Sequence, residues 1–248
     1  MNTEKNSYTI IYSIVMVVLA AVLLALAAMG LKPTQEENQK IDKMEQILRS
    51  IGQRPEKANV VSAYNQFIKK ELLLDGEGNV LKTFEGEELS NSEAFNNNTE
   101  LEMKKLNKGE VTTKDVRLNA FLADVDGKTV YILPLNGAGL WNKIWGYIAV
   151  DAADHSTIVG ADFGNAGETP GLGAEISTES FASQFVGKQI FKDGLFKSVA
   201  VVKPGKTIEG QDVVDGISGG TLTSDGVHAM LEKSLQSYQK FLETYQAQ

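Results

Sequence analysis

The segment from Asp215 to Asp225 carries the residue types best suited to chemistry. Its hydroxyl side chains are interspersed with glycines, and it leads into a run with helical periodicity. A helix N-terminus has unpaired N–H groups and a partial positive charge, which stabilise an anion and especially a phosphate. The segment therefore predicts a phosphate site. It has neither the lysine of a P-loop nor the G-x-G-x-x-G spacing of a dinucleotide site.

Two other glycine-rich segments, 134–147 and 167–173, are the remaining places where chemistry is expected. Each of the three segments, taken alone, is better explained as turns in a strand-rich domain, because glycine adopts positive φ readily. No residue resembles an acid–base catalyst, since Asp151, Asp154 and Asp162 are predicted to be loop or surface carboxylates. No stand-alone catalytic site is therefore expected.

The elements that must position these segments form a mixed α+β pattern. Alternating apolar residues and turn signals predict strands at 116–125, 129–134, 144–149, 157–163 and 196–202. Helical spacing predicts helices at 35–51, 60–74 and 177–191, and polar composition predicts a loop at 91–99. A last helix is predicted after Thr223, Ser224 or Asp225, any of which can cap it. Its apolar stripe comprises Val227, Met230, Leu231, Leu235, Tyr238, Leu242 and Tyr245.

The N-terminal region predicts a membrane span. No charged residue occurs from Asn6 to Leu31, and about 20 apolar helical residues cross a bilayer core. The organisation predicted is a tail at 1–7, a transmembrane helix at 8–31, a stalk helix and linker at 32–59 after a break at Pro33, and a globular domain at 60–248. A cleavable signal peptide, with the small-x-small sequence Ala25-Leu26-Ala27 as its cleavage site, is the alternative, and lipoprotein anchoring is excluded by the absence of cysteine.

Charge and composition narrow the function without fixing the orientation of the span. The formal net charge of −8 argues against binding nucleic acid or an anionic lipid surface. His155 and His228 lie far apart in sequence and are predicted to face solvent, so no metal site is expected. Lysines flank both ends of the span, and long domains translocate largely regardless of charge. Charge alone therefore leaves the side of the membrane open.

The chain resembles the C subunit of the sodium-translocating NADH:quinone oxidoreductases. The resemblance rests on Ser7–Tyr12 with the span that follows, on Ile41–Met44, on the Gly-Leu-Trp segment at 134–147, on Glu168–Gly173 and on Ser218–Ser224. The last two motifs also occur in the G subunit of Rnf-type electron-transfer complexes and in free-standing FMN-binding domains. The resemblance covers most of the chain and implies an FMN-binding domain of mixed α+β fold at 60–248.

The resemblance implies a covalent flavin. In this family FMN is joined through its phosphate to a threonine hydroxyl, in a bond that a flavin transferase makes from FAD with Mg²⁺. The acceptor pattern is Asp-x-x-Ser/Thr-Gly-Ala-Thr. Here Gly220 replaces its alanine, and Thr221 is the expected attachment residue, with Thr223 as runner-up. The residues that fit or adjoin the pattern are Asp215, Ser218, Gly219, Gly220, Thr221, Leu222 and Thr223.

The 168–173 segment of this family lies near the isoalloxazine. The resemblance therefore implies that Thr169 donates to ring heteroatoms, that Leu172 packs on the ring face, and that Gly171 and Gly173 allow close backbone approach. Glu168 belongs to the same motif and is counted among the cofactor-binding residues. Either Trp141 or Trp145 is expected to cover another part of the ring, although core packing is an equally good explanation for each tryptophan.

The function implied is electron transfer within a complex. In the family this subunit relays single electrons between an iron–sulfur centre and the flavin of the B subunit, alongside the A, D, E and F subunits. The FMN domain lies on the outer, periplasmic face of a bacterial inner membrane. Two alternative functions remain open. One is the G subunit of an Rnf-type complex, which relays electrons between ferredoxin and NAD, and the other is a membrane-anchored binding or scaffold domain without cofactor.

Overall fold

The computed structural model describes residues 6–245, which form two compact units that divide between Asp42 and Lys43. Helix α1 (Asn6–Ser50) belongs in part to each unit. It is the one helix among the described residues that is long and apolar enough to cross a membrane. Pro33 lies inside this helix, so the predicted break at Pro33 is wrong. A proline removes one backbone donor, but the residues on both sides of Pro33 remain helical.

The second unit is built on a six-stranded sheet in which every neighbouring pair is antiparallel. The strand order is β2-β1-β3-β4-β5-β6. The strands are β1 (Ile68–Leu74), β2 (Val80–Glu85), β3 (Leu118–Val125), β4 (Lys128–Ala138), β5 (Lys143–Asp151) and β6 (Ile158–Asn165). The four strands predicted between 116 and 163 are confirmed, with the Asp126-Gly127 turn joining β3 to β4.

Shorter elements surround the sheet, and one long helix ends the fold. The helices are α2 (Val60–Phe67), α3 (Glu93–Asn96), α4 (Thr99–Asn107), α5 (Glu179–Ser183) and α6 (Thr221–Thr244). Three 3₁₀ turns lie at Lys57–Asn59, Gly86–Glu88 and Gly173–Ser177. Two further strand pairs are an antiparallel one, β7 (Phe191–Lys192) with β8 (Leu195–Phe196), and a parallel one, β9 (Val199–Val202) with β10 (Asp212–Asp215).

Both faces of the sheet are covered, as the alternation along β3 shows. Leu118, Ala120 and Leu122 belong to the core that packs against α6. Phe121 points to the opposite face, where its ring meets Tyr147 edge-on with centroids 6.4 Å apart. Helix α6 is thus fixed along its length by the sheet, and its N-terminal end is held against the glycine-rich segments.

The last turns of α1 pack on the outer side of β5 and β6. Arg49 makes a bidentate ion pair with Asp162, at 2.9 and 3.0 Å. Trp145 Nε1 donates to Gln46 Oε1 at 2.8 Å. Gly160 lets β6 approach the carbonyl of Ser50, where a Cβ would collide with it. Asp162 is therefore a buried structural carboxylate, and its prediction as a loop or surface residue is wrong.

Three predicted helix or loop boundaries are wrong for local reasons. The helix predicted at 60–74 ends at Phe67, because residues 68–74 pair on both sides as β1. The helix predicted at 177–191 is only α5, since Gly187 turns the chain at φ +80° and then bonds to the edge of β6. The loop predicted at 91–99 contains α3, whose N-cap Ser92 accepts from the Phe95 amide.

Two further predictions need correction. The strand predicted at 196–202 is divided between β8 and β9 by Ser198, which adopts φ +57°. Neither histidine simply faces solvent: His228 Nδ1 accepts from the Val201 amide at 3.2 Å, and the partly buried His155 ring bonds to the carbonyl of Leu242.

Candidate functional site

The three glycine-rich segments meet at the N-terminus of α6. The helix begins at Thr221, and Gly220 occupies the N-cap position without a capping side chain. The predicted cap at Thr223, Ser224 or Asp225 is therefore wrong, because the helix starts earlier. The Ser224 amide is the first to find a helical acceptor, Gly220 O at 2.9 Å. The end of α6 thus presents free amides and no acidic residue in its first turn.

Two threonines of this first turn have opposite environments. Thr221 is exposed, and its hydroxyl makes no hydrogen bond to any residue between 6 and 245. Thr223 is 1 % exposed, and its hydroxyl donates to Glu168 Oε2 at 2.5 Å. The helix therefore offers one hydroxyl to an incoming group and uses the other to hold the site together.

The buried carboxylate of Glu168 joins all three segments. Its Oε2 accepts from Thr223 of the 215–225 segment. Its Oε1 accepts from the Trp141 amide at 2.9 Å and the Asn142 amide at 3.4 Å, both in the 134–147 segment. Glu168 itself belongs to the 167–173 segment. The side chain predicted to bind the cofactor is thus occupied in holding the segments against one another.

Burial alone would raise the pKa of the Glu168 carboxyl, because desolvation disfavours the charged form. The hydrogen bonds from Thr223 and from the amides of Trp141, Asn142 and Leu140 outweigh that effect and hold the pKa below its ordinary value. Glu168 is therefore ionised at neutral pH, and its carboxylate accepts the hydrogen bonds from Thr223 and from these backbone amides.

A cavity of about 160 Å³ opens beside Thr221. Apolar side chains form much of its edge, and four of them are unusually exposed for their size: Leu140, Trp141, Leu172 and Leu222. The remaining lining residues are Glu168, Thr169, Gly173, Gly219, Gly220, Thr221 and Thr223. Exposed apolar side chains gathered around one cleft mark a binding site rather than a core.

Two glycines are required by the close packing of this cleft. At Gly173 a Cβ would lie 2.7 Å from Glu168 Oε2. At Gly219, where φ is +77°, it would lie 2.8 Å from Leu172 Cδ2. Glycine at both positions keeps the cleft open, and at Gly219 it also lets the backbone adopt the left-handed region.

A second cavity, of about 220 Å³, lies on the other side of Thr221. It shares Gly219 and Thr221 with the first cavity, and it adds Ser218, Lys203 and Asp225. The exposed Thr221 therefore borders two adjoining spaces at the helix end. A group attached there has room on both sides.

Two residues predicted at the site lie elsewhere. Asp215 does not line either cavity, and its Oδ1 accepts from the Gly205 amide at 3.0 Å. Trp145 lies on β5 and bonds to the end of α1, so Trp141 is the tryptophan at the cleft.

Sequence reasoning missed two residues that position the site. The side chain of Gln184 holds Asp215 through its backbone, accepting from the amide at 2.9 Å and donating to the carbonyl at 3.2 Å. Gly226 lets α6 touch the carbonyl of Ala138, where a Cβ would collide with it. Gly226 was detectable as a glycine inside a helical pattern, whereas nothing in the sequence singles out Gln184.

Fold and cleft together define an FMN-binding domain, and the family model of that description matches residues 139–236. The similar full-length proteins identify the family more narrowly. The chain is 30% identical to the C subunit of the Na⁺-translocating NADH-quinone reductase of Haemophilus ducreyi, over 91% of this chain and 88% of the relative. It is 31% identical to the C subunit from Yersinia pestis, over 91% and 87%. The chain belongs to the C-subunit family of the Na⁺-translocating NADH-quinone reductases, which are oxidoreductase complexes.

Solved structures agree with this assignment. The crystal structure of the C subunit from Parabacteroides distasonis is 46% identical and superposes with a TM-score of 0.75, covering 87% of this chain and 98% of that one. NqrC from Shewanella oneidensis is 26% identical, with a TM-score of 0.64 and coverage of 83% and 97%. The predicted mixed α+β domain after one long apolar helix is therefore confirmed.

We expect Glu168→Gln to lower the free energy of unfolding by about 1–3 kcal/mol at pH 7, because the amide supplies one acceptor oxygen where the carboxylate supplies two. The native pKa of Glu168 is lowered, so its contribution is complete above the unfolded value near 4.5 and is lost as pH falls through the lower native value. Denaturant unfolding of both proteins between pH 3 and 7 measures this.

The two stability curves should converge in acid. A constant difference across this pH range would show that the charge of Glu168 contributes nothing to the stability of the site. Glu175→Gln is the matched control, since Glu175 lies two residues after the 167–173 segment and accepts from the Gly171 amide at 3.0 Å rather than from Thr223 or Trp141.

Proposed function

We propose that this subunit carries FMN as a phosphoester on Thr221. The observation that supports the proposal best is the contrast between the two threonines at the end of α6. Thr221 is exposed and has a hydroxyl without a partner among the described residues, whereas Thr223 is buried and bonded to Glu168. A transferase can reach the first hydroxyl and not the second.

The residues around Thr221 fit the phosphate of FMN. A phosphodiester keeps a negative charge, and the N-terminus of the 24-residue helix α6 stabilises a charge placed there. The free amides of Thr221, Leu222 and Thr223 are donors in the same turn. No carboxylate lies in that turn, and the charge of the neighbouring Glu168 is engaged by its own donors, the Thr223 hydroxyl and the Trp141 amide.

The apolar rim of the cleft fits the flavin ring. Leu172 and Trp141 would hold ring faces, Leu140 and Leu222 would cover its edges, and the Thr169 hydroxyl is available to ring heteroatoms. A cavity of about 160 Å³ is smaller than the roughly 300 Å³ at which enclosed sites for small molecules begin. The ring would therefore remain partly exposed, as an electron carrier requires for exchange with partners.

FMN supplies the ability to accept and release electrons one at a time. The chain itself holds the ring, limits solvent at one face and keeps the cofactor attached. We propose that the subunit relays electrons between an iron–sulfur centre and the flavin of the B subunit, in a complex that also contains the A, D, E and F subunits. A separate flavin transferase would form the bond to Thr221 from FAD.

We also propose that residues 8–31 anchor the chain in the bacterial inner membrane and that its C-terminal domain is periplasmic. The support is the apolar N-terminal part of α1, which has no buried residue over its most apolar stretch, and the family assignment.

The attachment is tested by intact mass and peptide mapping of the full chain, expressed in membranes with a flavin transferase. We expect one FMN on the peptide that contains Thr221, none in Thr221→Ala, and undiminished attachment in the matched control Thr223→Ser, which keeps the hydroxyl that bonds Glu168. Unmodified wild-type protein would overturn the carrier function. Flavin on Thr221→Ala would overturn the choice of residue.

The orientation is tested with single cysteines, because the chain has none of its own. We expect Lys206→Cys, at an exposed position of the domain, to react with a membrane-impermeant maleimide in intact cells. Asn2→Cys should react only after the inner membrane is broken. The reverse labelling pattern would place the domain in the cytoplasm.

A further inference from the structure

A groove elsewhere on the second unit shares no lining residue with the cleft at Thr221. It holds about 530 Å³ and lies between α4, β4 and α6. Its floor is apolar and includes Leu118, Pro134, Met103 and Tyr238. Sites for small molecules commonly have volumes of roughly 300–1,000 Å³, a mostly apolar lining and a few convergent polar groups. The groove therefore has the dimensions of a ligand site.

The charge at the rim of the groove is opposite to that of the chain. Lys104 on α4, Lys143 on β5 and Lys233 on α6 border it from three different elements. Glu100 is the one carboxylate among the residues that line it, and it pairs with Lys104 at 2.5 Å. On a chain with a formal net charge of −8, this is a local cationic surface over an apolar floor.

Two polar groups at the groove have no partner among residues 6–245. Lys233 makes no ion pair there, and the side-chain amide of the partly buried Asn136 makes no hydrogen bond. The backbone of Asn136 is nevertheless fixed, since its amide donates to Ser234 Oγ at 3.2 Å. Because the backbone of Asn136 is fixed, its unpaired side-chain amide is positioned to contact a ligand.

We propose that this groove is a second ligand site, which takes an anion with an apolar body and more than one negative group. The apolar floor would bury the body, and the lysines on three sides would pair with the negative groups. The site adjoins the cleft at Thr221 through one turn, because Ala138 and Asn142 line the groove while Leu140 and Trp141 line the cleft.

The test uses naphthalene-1,5-disulfonate, a flat apolar anion with two charges, and the full chain in detergent. Lysine acetylation is mapped by peptide mass spectrometry at increasing probe concentration. We expect saturable protection of Lys104, Lys143 and Lys233 by at least about threefold, while the exposed Lys69, Lys128 and Lys206 react unchanged. This readout is independent of flavin and is valid for Thr221→Ala as well.

Two variants separate binding in the groove from ion pairing at the surface. Ser237→Trp fills the groove from α6, and Asn107→Trp fills it from α4; both keep the three lysines. We expect each filling variant to require at least about tenfold more probe for the same protection of the lysines. Gln236→Trp, at an exposed neighbouring position outside the groove, should require no more probe than the wild type. Circular dichroism checks that both filling variants fold. Because the two variants lie on different helices, the test does not depend on either variant alone.

Absence of saturable protection in the wild-type chain would overturn the proposal. Protection that persists in a folded filling variant would also overturn it, because the probe would then be pairing with surface lysines without entering the groove.

Discussion

The buried carboxylate of Glu168 is the interaction on which the candidate site depends. It receives donors from the glycine-rich segments 134–147 and 215–225 while belonging to the segment 167–173. A buried carboxylate is costly unless its oxygens are satisfied, and here that requirement forces the three segments into one arrangement. The arrangement leaves Thr221 as the free hydroxyl at the end of α6, since Thr223 is already used.

Helix α6 connects these local hydrogen bonds to the whole fold. Its apolar side packs along the sheet, and Gly226 brings it against the turn after β4. The helix therefore cannot shift along its axis without disturbing both the core and the cleft. A rigid helix end and an apolar cleft suit a cofactor that must keep one position, and covalent attachment at Thr221 would remove the need for tight non-covalent binding.

The sequence was most informative where periodicity and motif coincide. The antiparallel strands from β3 to β6 and the long last helix follow from local alternation and spacing, and Thr221, Leu172 and Gly219 follow from motif positions. The cleft itself was predicted only as a family resemblance, because a contact such as Glu168 to Thr223 joins residues 55 positions apart.

The failed predictions share a tertiary cause. Residues 68–74 have helical spacing but form β1, because β2 and β3 offer backbone partners on both sides. Asp162 looked like a surface carboxylate until Arg49, on α1, was placed beside it. Asp215 fits the acceptor pattern but holds the loop at Gly205, a structural role that motif matching does not distinguish from cofactor contact.

Single-turnover reduction of the assembled complex tests most directly whether electrons pass through a group held at Thr221. NADH is mixed with the purified complex, and flavin absorbance and quinone reduction are followed in the wild type, in Thr221→Ala and in Thr223→Ser. We predict that Thr221→Ala slows quinone reduction by at least about 100-fold, a barrier of about 2.7 kcal/mol, while Thr223→Ser stays near the wild-type rate. Quinone reduction at the wild-type rate by Thr221→Ala would contradict this prediction.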